Sequence, residues 1–233
     1  MTYSTVYFCT SNRGKFNEVK RILEPQFTVV QIKLELDELQ STDTEYVCRN
    51  KITHAVNQIN NDIGGTAESQ LLVHSLLSVP EREVRVMDSR SSVGVYDKSA
   101  PHGIETNYIL LVEDTGLEIT NMNGFPGALV KFYLDYLTPE GICKFNGGSN
   151  ASMHVTMVAY LSVTKSLWSH THKVSGLITE RPKGIQGFGF DSVFECTQHP
   201  DNLTLAQMMP DVKQEYSARS ECAIKLKEFL LTA

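Results

Sequence analysis

The sequence predicts a mixed-sheet protein of the α/β or α+β class, and three observations carry that expectation. A short run of strand formers at residues 6–9 is followed by a polar, glycine-containing loop and then a pattern with helical period. Strand-like and helix-like segments alternate irregularly over the rest of the chain, which suits a mixed sheet better than a strict βαβ rhythm. With 233 residues and 41% hydrophobic content, the chain can bury a sizeable core without disulfides or metal. It reads as one domain, 1–233.

The elements follow in order. After the strand at 6–9, Phe16, Val19, Ile22 and Leu23 recur at helical spacing with Glu18, Lys20 and Arg21 between them. A second strand is expected at 27–32 and a second helix at 45–63. Residues from about 64 to 107 lose the periodicity to glycines, serines and a proline, and read as a surface insertion. Strands are expected at 108–113 and 117–122, then a tight turn at Asn123-Gly124-Phe125-Pro126-Gly127. Helices at 129–137 and 139–145 precede a strand at 154–163 and a hairpin made of 167–174 and 176–179. A short extended piece at 191–194 and an amphipathic helix at 217–231 complete the pattern.

Composition narrows the function. The balance of 21 basic against 27 acidic residues gives a net charge of −6, which weighs against coating a nucleic-acid backbone. It leaves room for a small anion in a local basic pocket. The 5 cysteines, Cys9, Cys48, Cys143, Cys196 and Cys222, are scattered and form no CxxC pair, so neither a disulfide framework nor a zinc site is expected. With no signal-like N-terminus and no run of about 18 apolar residues, the expectation is a soluble protein of the cytoplasm with no membrane segment.

Several clusters have the chemistry of an anion site. Thr10-Ser11-Asn12-Arg13-Gly14-Lys15 brings two cations, hydroxyl and amide side chains and a glycine to a helix start, which is what phosphate binding needs. It is not a Walker A loop, since Cys9 and Phe16 stand where that pattern requires glycine and a hydroxyl residue. Glu113-Asp114-Thr115-Gly116 sets two adjacent carboxylates at a strand end, where ligands sit in α/β proteins. Such a pair needs a compensating cation, and Mg²⁺ prefers a few carboxylates plus phosphate oxygens. Glu35-Leu36-Asp37-Glu38-Leu39-Gln40 is a further acidic stretch. Gly187-Phe188-Gly189-Phe190-Asp191 offers aromatic faces and an acid that could accept from a purine N–H. Lys213 and Ser217-Ala218-Arg219 add cations near a helix start. Taken singly, each cluster also fits a plain role as a capped loop, a solvated turn or a core aromatic.

Their order along the chain is more specific. Together they resemble the inosine triphosphate pyrophosphatase (Ham1-like) family. Its phosphate loop [TS]-[GS]-N-x-x-K corresponds to residues 10–15, its E-x-Q element to Glu38-Leu39-Gln40, and its helix lysine to Lys51. Its V-E-D-T-x-L strand corresponds to Val112-Glu113-Asp114-Thr115-Gly116-Leu117, and its N-G-x-P-G turn to residues 123–127. Its G-F-G-[YW]-D motif corresponds to residues 187–191, and its K-x-x-x-S-H-R motif to residues 213–219. The resemblance covers the chain outside about 64–107. Three departures stand out: Phe190 replaces Tyr or Trp, Ala218 replaces His, and the insertion has no counterpart.

The resemblance implies a long bent mixed sheet with flanking helices, two lobes and a central cleft, and a homodimer. It implies a Mg²⁺-dependent hydrolase, with Mn²⁺ as the alternative ion, converting ITP, dITP or XTP to the monophosphate and pyrophosphate. Lys15, Lys51 and the loop Thr10, Ser11, Asn12, Arg13 and Gly14 would hold phosphates. Glu38 and Asp114 would hold the metal, and Asp114 or Glu113 would orient or deprotonate water. Thr115 would line the substrate site, Phe188, Gly189 and Phe190 would flank the base, and Asp191, Lys213 and Arg219 would contact it, with Ala218 in place of a further contact. The alternatives are a pyrophosphatase of different nucleotide preference, a nucleotide-binding regulator with little turnover, and an interaction protein acting through the insertion.

Overall fold

The computed structural model describes residues 3–34, 36, 39–62 and 107–232. In the first strand, β1 (Thr5–Cys9), Val6 and Phe8 enter the main core while Tyr7 and Cys9 pack against a second cluster on the other face. This period of two is what strand geometry imposes, and it sets two layers on one sheet. Helix α1 (Arg13–Leu23) follows, then β2 (Thr28–Ile32) and α2 (Thr44–Asp62). After them come β3 (Tyr108–Ile119), a 3₁₀ turn, β4 (Pro126–Gly127) and α3 (Val130–Asn146). The chain continues through β5 (Asn150–Leu161), β6 (Ser166–Ile178) and β7 (Phe194–Cys196) to α4 (Pro210–Tyr216) and α5 (Ala218–Thr232).

The sheet order is β2-β1-β3-β5-β6-β7, with β4 paired to β3. β1 runs parallel to β2 and β3, and the other pairings are antiparallel, so the sheet is mixed as expected. The main core gathers Val19 and Leu23 of α1, Val130 and Ile142 of α3, and Cys222 and Leu226 of α5. The second cluster places Cys48, Ile52, Ala55, Val56 and Ile59 of α2 on Leu110, Val112 and Val158. All five cysteines are free, and no helix among the described residues is long and apolar enough to cross a membrane.

One feature of register positions the site. β1 pairs with β3 only from Tyr108 to Leu111, and β3 runs on past it. Glu113 and Asp114 therefore stand just beyond the carboxyl end of β1, beside the loop that leaves it.

Several expected boundaries differ. The strands expected at 108–113 and 117–122 are one strand, paired with β5 without a break from Ile109 to Ile119. The expected hairpin is also one strand, β6, whose partner is β5. Gly176 is there for close approach and not for a turn: a Cβ would come within 2.4 Å of the Glu195 carbonyl on β7. The two helices expected at 129–137 and 139–145 form one helical segment kinked at Thr138, whose φ is 58°. Residues 191–193 lie in a turn, and the extended strand is β7. The expected insertion, apart from Asn107, lies outside the described residues.

Candidate active site

Asn12 caps α1: its Oδ1 accepts from Lys15 N at 3.1 Å, and its own N donates to Thr10 Oγ1 at 3.1 Å. Gln31 of β2 ties the loop down by donating to the Thr10 carbonyl at 2.9 Å. The first turn of α1 carries no acidic residue, so its N-terminal partial charge is uncompensated by its own helix. That is a preformed seat for an anion.

A cleft of about 570 Å³ opens beside this turn, a size suited to a small-molecule ligand. Of the predicted site residues, all but Arg13, Gly14, Ala218 and Glu38 line it. Glu38 lies outside the described residues. Gly14 is covered by the Phe188 ring, which a Cβ there would meet at 2.4 Å. Ala218 is fully buried in the main core, while Ser217 and Arg219 on either side of it reach the cleft. Phe190 lines the wall but turns its ring edge-on to Phe194 in the core, at 6.3 Å.

Charged groups of alternating sign run along the cleft. Lys15 pairs with Glu113 Oε1. Arg219 Nε donates to Glu113 Oε2 at 2.8 Å, its Nη2 to Thr115 Oγ1 at 2.8 Å, and its Nη1 to Glu18 Oε2. Lys213 Nζ donates to Glu18 Oε1 and to Asp191 Oδ2, both at 2.7 Å. Asp191 Oδ2 also accepts from Phe188 N at 2.8 Å, which fixes the glycine–phenylalanine loop. The Phe188 ring lies 4.8 Å from Lys213 Nζ and 5.5 Å from the Arg219 guanidinium carbon, a cation–π arrangement. The series thus links the expected phosphate end at Lys15 to the expected base end at Phe188.

The carboxylates respond differently. Burial pushes Glu113 upward, but the charges of Arg219 and Lys15 outweigh it and hold the group at about 2. Burial also acts on Glu18, and Arg219 and Lys213 still bring it below its ordinary value. For Asp114, burial wins over Lys51 and the group stands above its ordinary value. Burial likewise raises Asp191, against Lys213. Lys51 Nζ donates to Asp114 Oδ1 at 2.8 Å. Asp114 Oδ2 is buried with no hydrogen-bond partner among the described residues. Burial pushes the Cys9 and Cys48 thiols well up, which rules them out as ready nucleophiles.

Glu18 is the residue of this network that sequence reasoning missed: three positions after Lys15 on α1, it bridges Lys213 and Arg219, which line the cleft. The orphaned Asp114 oxygen fits a cation. No group of three or more His, Cys, Asp or Glu gathers among the described residues, so a cation here would rely on Asp114 and on ligand oxygens.

The arrangement of strands and helices is that of solved Ham1 proteins. The HAM1 protein from Coxiella burnetii matches with a TM-score of 0.65 and 17% identity, covering 99% of this chain and 100% of that one. The Staphylococcus aureus Ham1 protein matches with a TM-score of 0.61 and 19% identity, covering 98% and 99%. In sequence, the inosine triphosphate pyrophosphatase of Kluyveromyces lactis is 27% identical over 233 residues, 97% of this chain and 95% of that protein. The dITP/XTP pyrophosphatase of Methanopyrus kandleri is 23% identical over 227 residues, 96% and 95%. The Ham1 family model matches residues 68–229, and the chain belongs to the Ham1 family.

Proposed function

We propose that this protein hydrolyses non-standard purine nucleoside triphosphates (ITP, dITP and XTP) to the monophosphate and pyrophosphate, with Mg²⁺ or alternatively Mn²⁺. The observation that carries the reading is the cleft at the end of β1. There an anion-seeking helix terminus and two lysines surround a carboxylate pair, one of whose oxygens has no partner among the described residues. The names of the relatives point the same way.

Asp114 Oδ2 would hold the metal, together with Glu38 of the E-x-Q element. The bound ion would neutralise charge on the phosphate oxygens. Water attacks the α-phosphorus, the bond from that phosphorus to the bridging oxygen breaks, and pyrophosphate leaves. Lys15, Lys51 and the α1 terminus meet the charge that grows on the leaving group. Asp114 is also the better candidate to orient or deprotonate the water. Glu113 is the weaker base, because Lys15 and Arg219 engage both its oxygens and hold its proton affinity low.

At the other end, Arg219 and Lys213 present N–H groups beside Phe188. A 6-oxo purine accepts from such donors, whereas the adenine 6-amino group meets them donor to donor. The same reading includes a homodimer, carried over from the resemblance, and a cytoplasmic location, which five scattered free cysteines suit.

The test is pyrophosphate release from ITP, ATP and GTP with and without Mg²⁺. Metal-dependent release from ITP above that from ATP supports the reading. No pyrophosphate from ITP in a folded, Mg²⁺-supplied protein overturns it.

A further inference from the structure

Helix α2 brings one stripe of polar residues to the sheet. Thr44, Cys48 and Lys51, four and three residues apart, share a face. Thr44 Oγ1 lies 2.8 Å from Thr156 Oγ1. Cys48 Sγ donates to the Thr156 carbonyl at 3.3 Å. Lys51 donates to Asp114 at 2.8 Å, and Asp114 is the residue directly across from Thr156 in the β3–β5 register. Thr156 Oγ1 lies 2.9 Å from Thr171 Oγ1, so three hydroxyls form a row from α2 across β5 to β6. Thr156 is fully buried and Thr44 nearly so.

We propose that Thr156 is a positioning residue: its hydroxyl and carbonyl fix the register of α2 on the sheet, and so hold Lys51 where it meets the triphosphate. The inference rests on the nucleotide reading above and names a residue which that reading does not need for contact. The rest of the α2 seat is apolar, with Ile52, Ala55, Val56 and Ile59 on Leu110, Val112 and Val158. Apolar contact is non-directional and tolerates a small slide. A hydrogen bond spans only about 2.7–3.2 Å and needs alignment, while one helical residue rises about 1.5 Å. A shift of one residue therefore breaks the Lys51 contact, and the polar seat at Thr156 is what forbids it. The hydroxyl row also explains how Thr156 can be fully buried: each hydroxyl is satisfied by the next.

The experiment compares Thr156→Val, Thr156→Ser and Lys51→Met, with Thr156→Val also placed in the Lys51→Met background. The readouts are KM and kcat for ITP, affinity for inorganic tripolyphosphate, and melting temperature. Thr156→Val keeps the shape and loses the hydroxyl. It should raise KM and weaken tripolyphosphate binding by about three- to tenfold, the range a hydrogen bond commands, with a smaller change in kcat. Thr156→Ser keeps the hydroxyl and loses a methyl group, so it should melt lower yet bind and turn over within twofold of the parent. In the Lys51→Met background the binding effect of Thr156→Val should vanish, because the group being positioned is gone.

Thr156→Val that lowers the melting temperature but leaves KM and tripolyphosphate affinity unchanged overturns the inference. So does a Thr156→Val effect that multiplies fully with Lys51→Met. A parent protein that neither cleaves ITP nor takes up tripolyphosphate sinks the nucleotide reading and this inference with it, whereas an active parent indifferent to Thr156→Val sinks this inference alone.

Discussion

Glu113 and Asp114 are consecutive on β3, so their side chains leave on opposite faces of the sheet. On one face Glu113 is shut in by Lys15 of α1 and Arg219 of α5, with its side chain 1% exposed and both oxygens engaged. On the other, Asp114 pairs with Lys51 of α2, has a side chain 12% exposed, and keeps one oxygen without a partner among the described residues. The same strand end therefore carries one carboxylate with both oxygens engaged and one with an oxygen left over. Burial acts on both, but charge compensation wins at Glu113 and loses at Asp114. The comparison teaches that two adjacent acids need not share an environment: the pleat sends them to opposite faces, and different cations meet them there.

The largest break in this comparison should come from Arg219→Met. It leaves Glu113 with Lys15 alone and Glu18 with Lys213 alone, so that the cluster carries one uncompensated negative charge, a class of change that costs about 3–5 kcal/mol. Calorimetry should show a melting temperature lower by roughly 10 °C, taking about 2–4 °C per kcal/mol for a chain of this size. A change within about 2 °C would mean that the network contributes little to the fold.

Next in size is the acid side of the stability curve. Glu113 is held at about 2 in the folded protein, against roughly 4.3 in an unfolded chain. A lowered value stabilises the fold above the unfolded value, and that stability is lost as pH falls towards the folded one. The contribution is roughly 3 kcal/mol, complete above about pH 5 and gone near pH 2. Urea unfolding from pH 6 down to pH 2 should show this loss, and Glu113→Gln should flatten it. An equal slope in Glu113→Gln would assign the acid sensitivity elsewhere.

The smallest effect on the fold, and the one that sharpens the contrast, is expected from Asp114→Asn. It removes a charge that burial disfavours, so the melting temperature should stay level or rise. Turnover of ITP should fall by about 10² or more. Activity within a few-fold of the parent would place the chemistry on another residue.

Much of this was legible in the sequence because the signals are local. The strand, polar loop and helix at 6–23 are a contiguous pattern, and Asn12 and Lys15 sit where a helix start puts them. What escaped depends on contacts far along the chain. Glu18 reads as a solvated helix residue until Lys213 and Arg219, 195 and 201 positions away, are brought to it. Ala218 sits in a motif of cleft residues, yet the turn of α5 points it into the core while its neighbours face the cleft. Helix α4 is seven residues long and mostly polar, too short for periodicity to register, and only Pro210 at its start marks it. The break read between residues 113 and 117 failed because Thr115 and Gly116 suggest a turn locally, while β5 supplies a partner for each.

The row of charges along the cleft constrains how this chain can vary. Lys15, Glu113, Arg219, Glu18, Lys213 and Asp191 alternate in sign, and each inner member answers to two neighbours. Neutralising one leaves an odd charge in a place water scarcely reaches. Neutralising its neighbour as well then costs less than it would have done alone. Substitutions here are therefore expected to couple, the loss of one charge costing more than the loss of an adjacent opposite pair. The positions this row couples lie on α1, β3, the turn at Asp191, α4 and α5, most of them far apart in sequence.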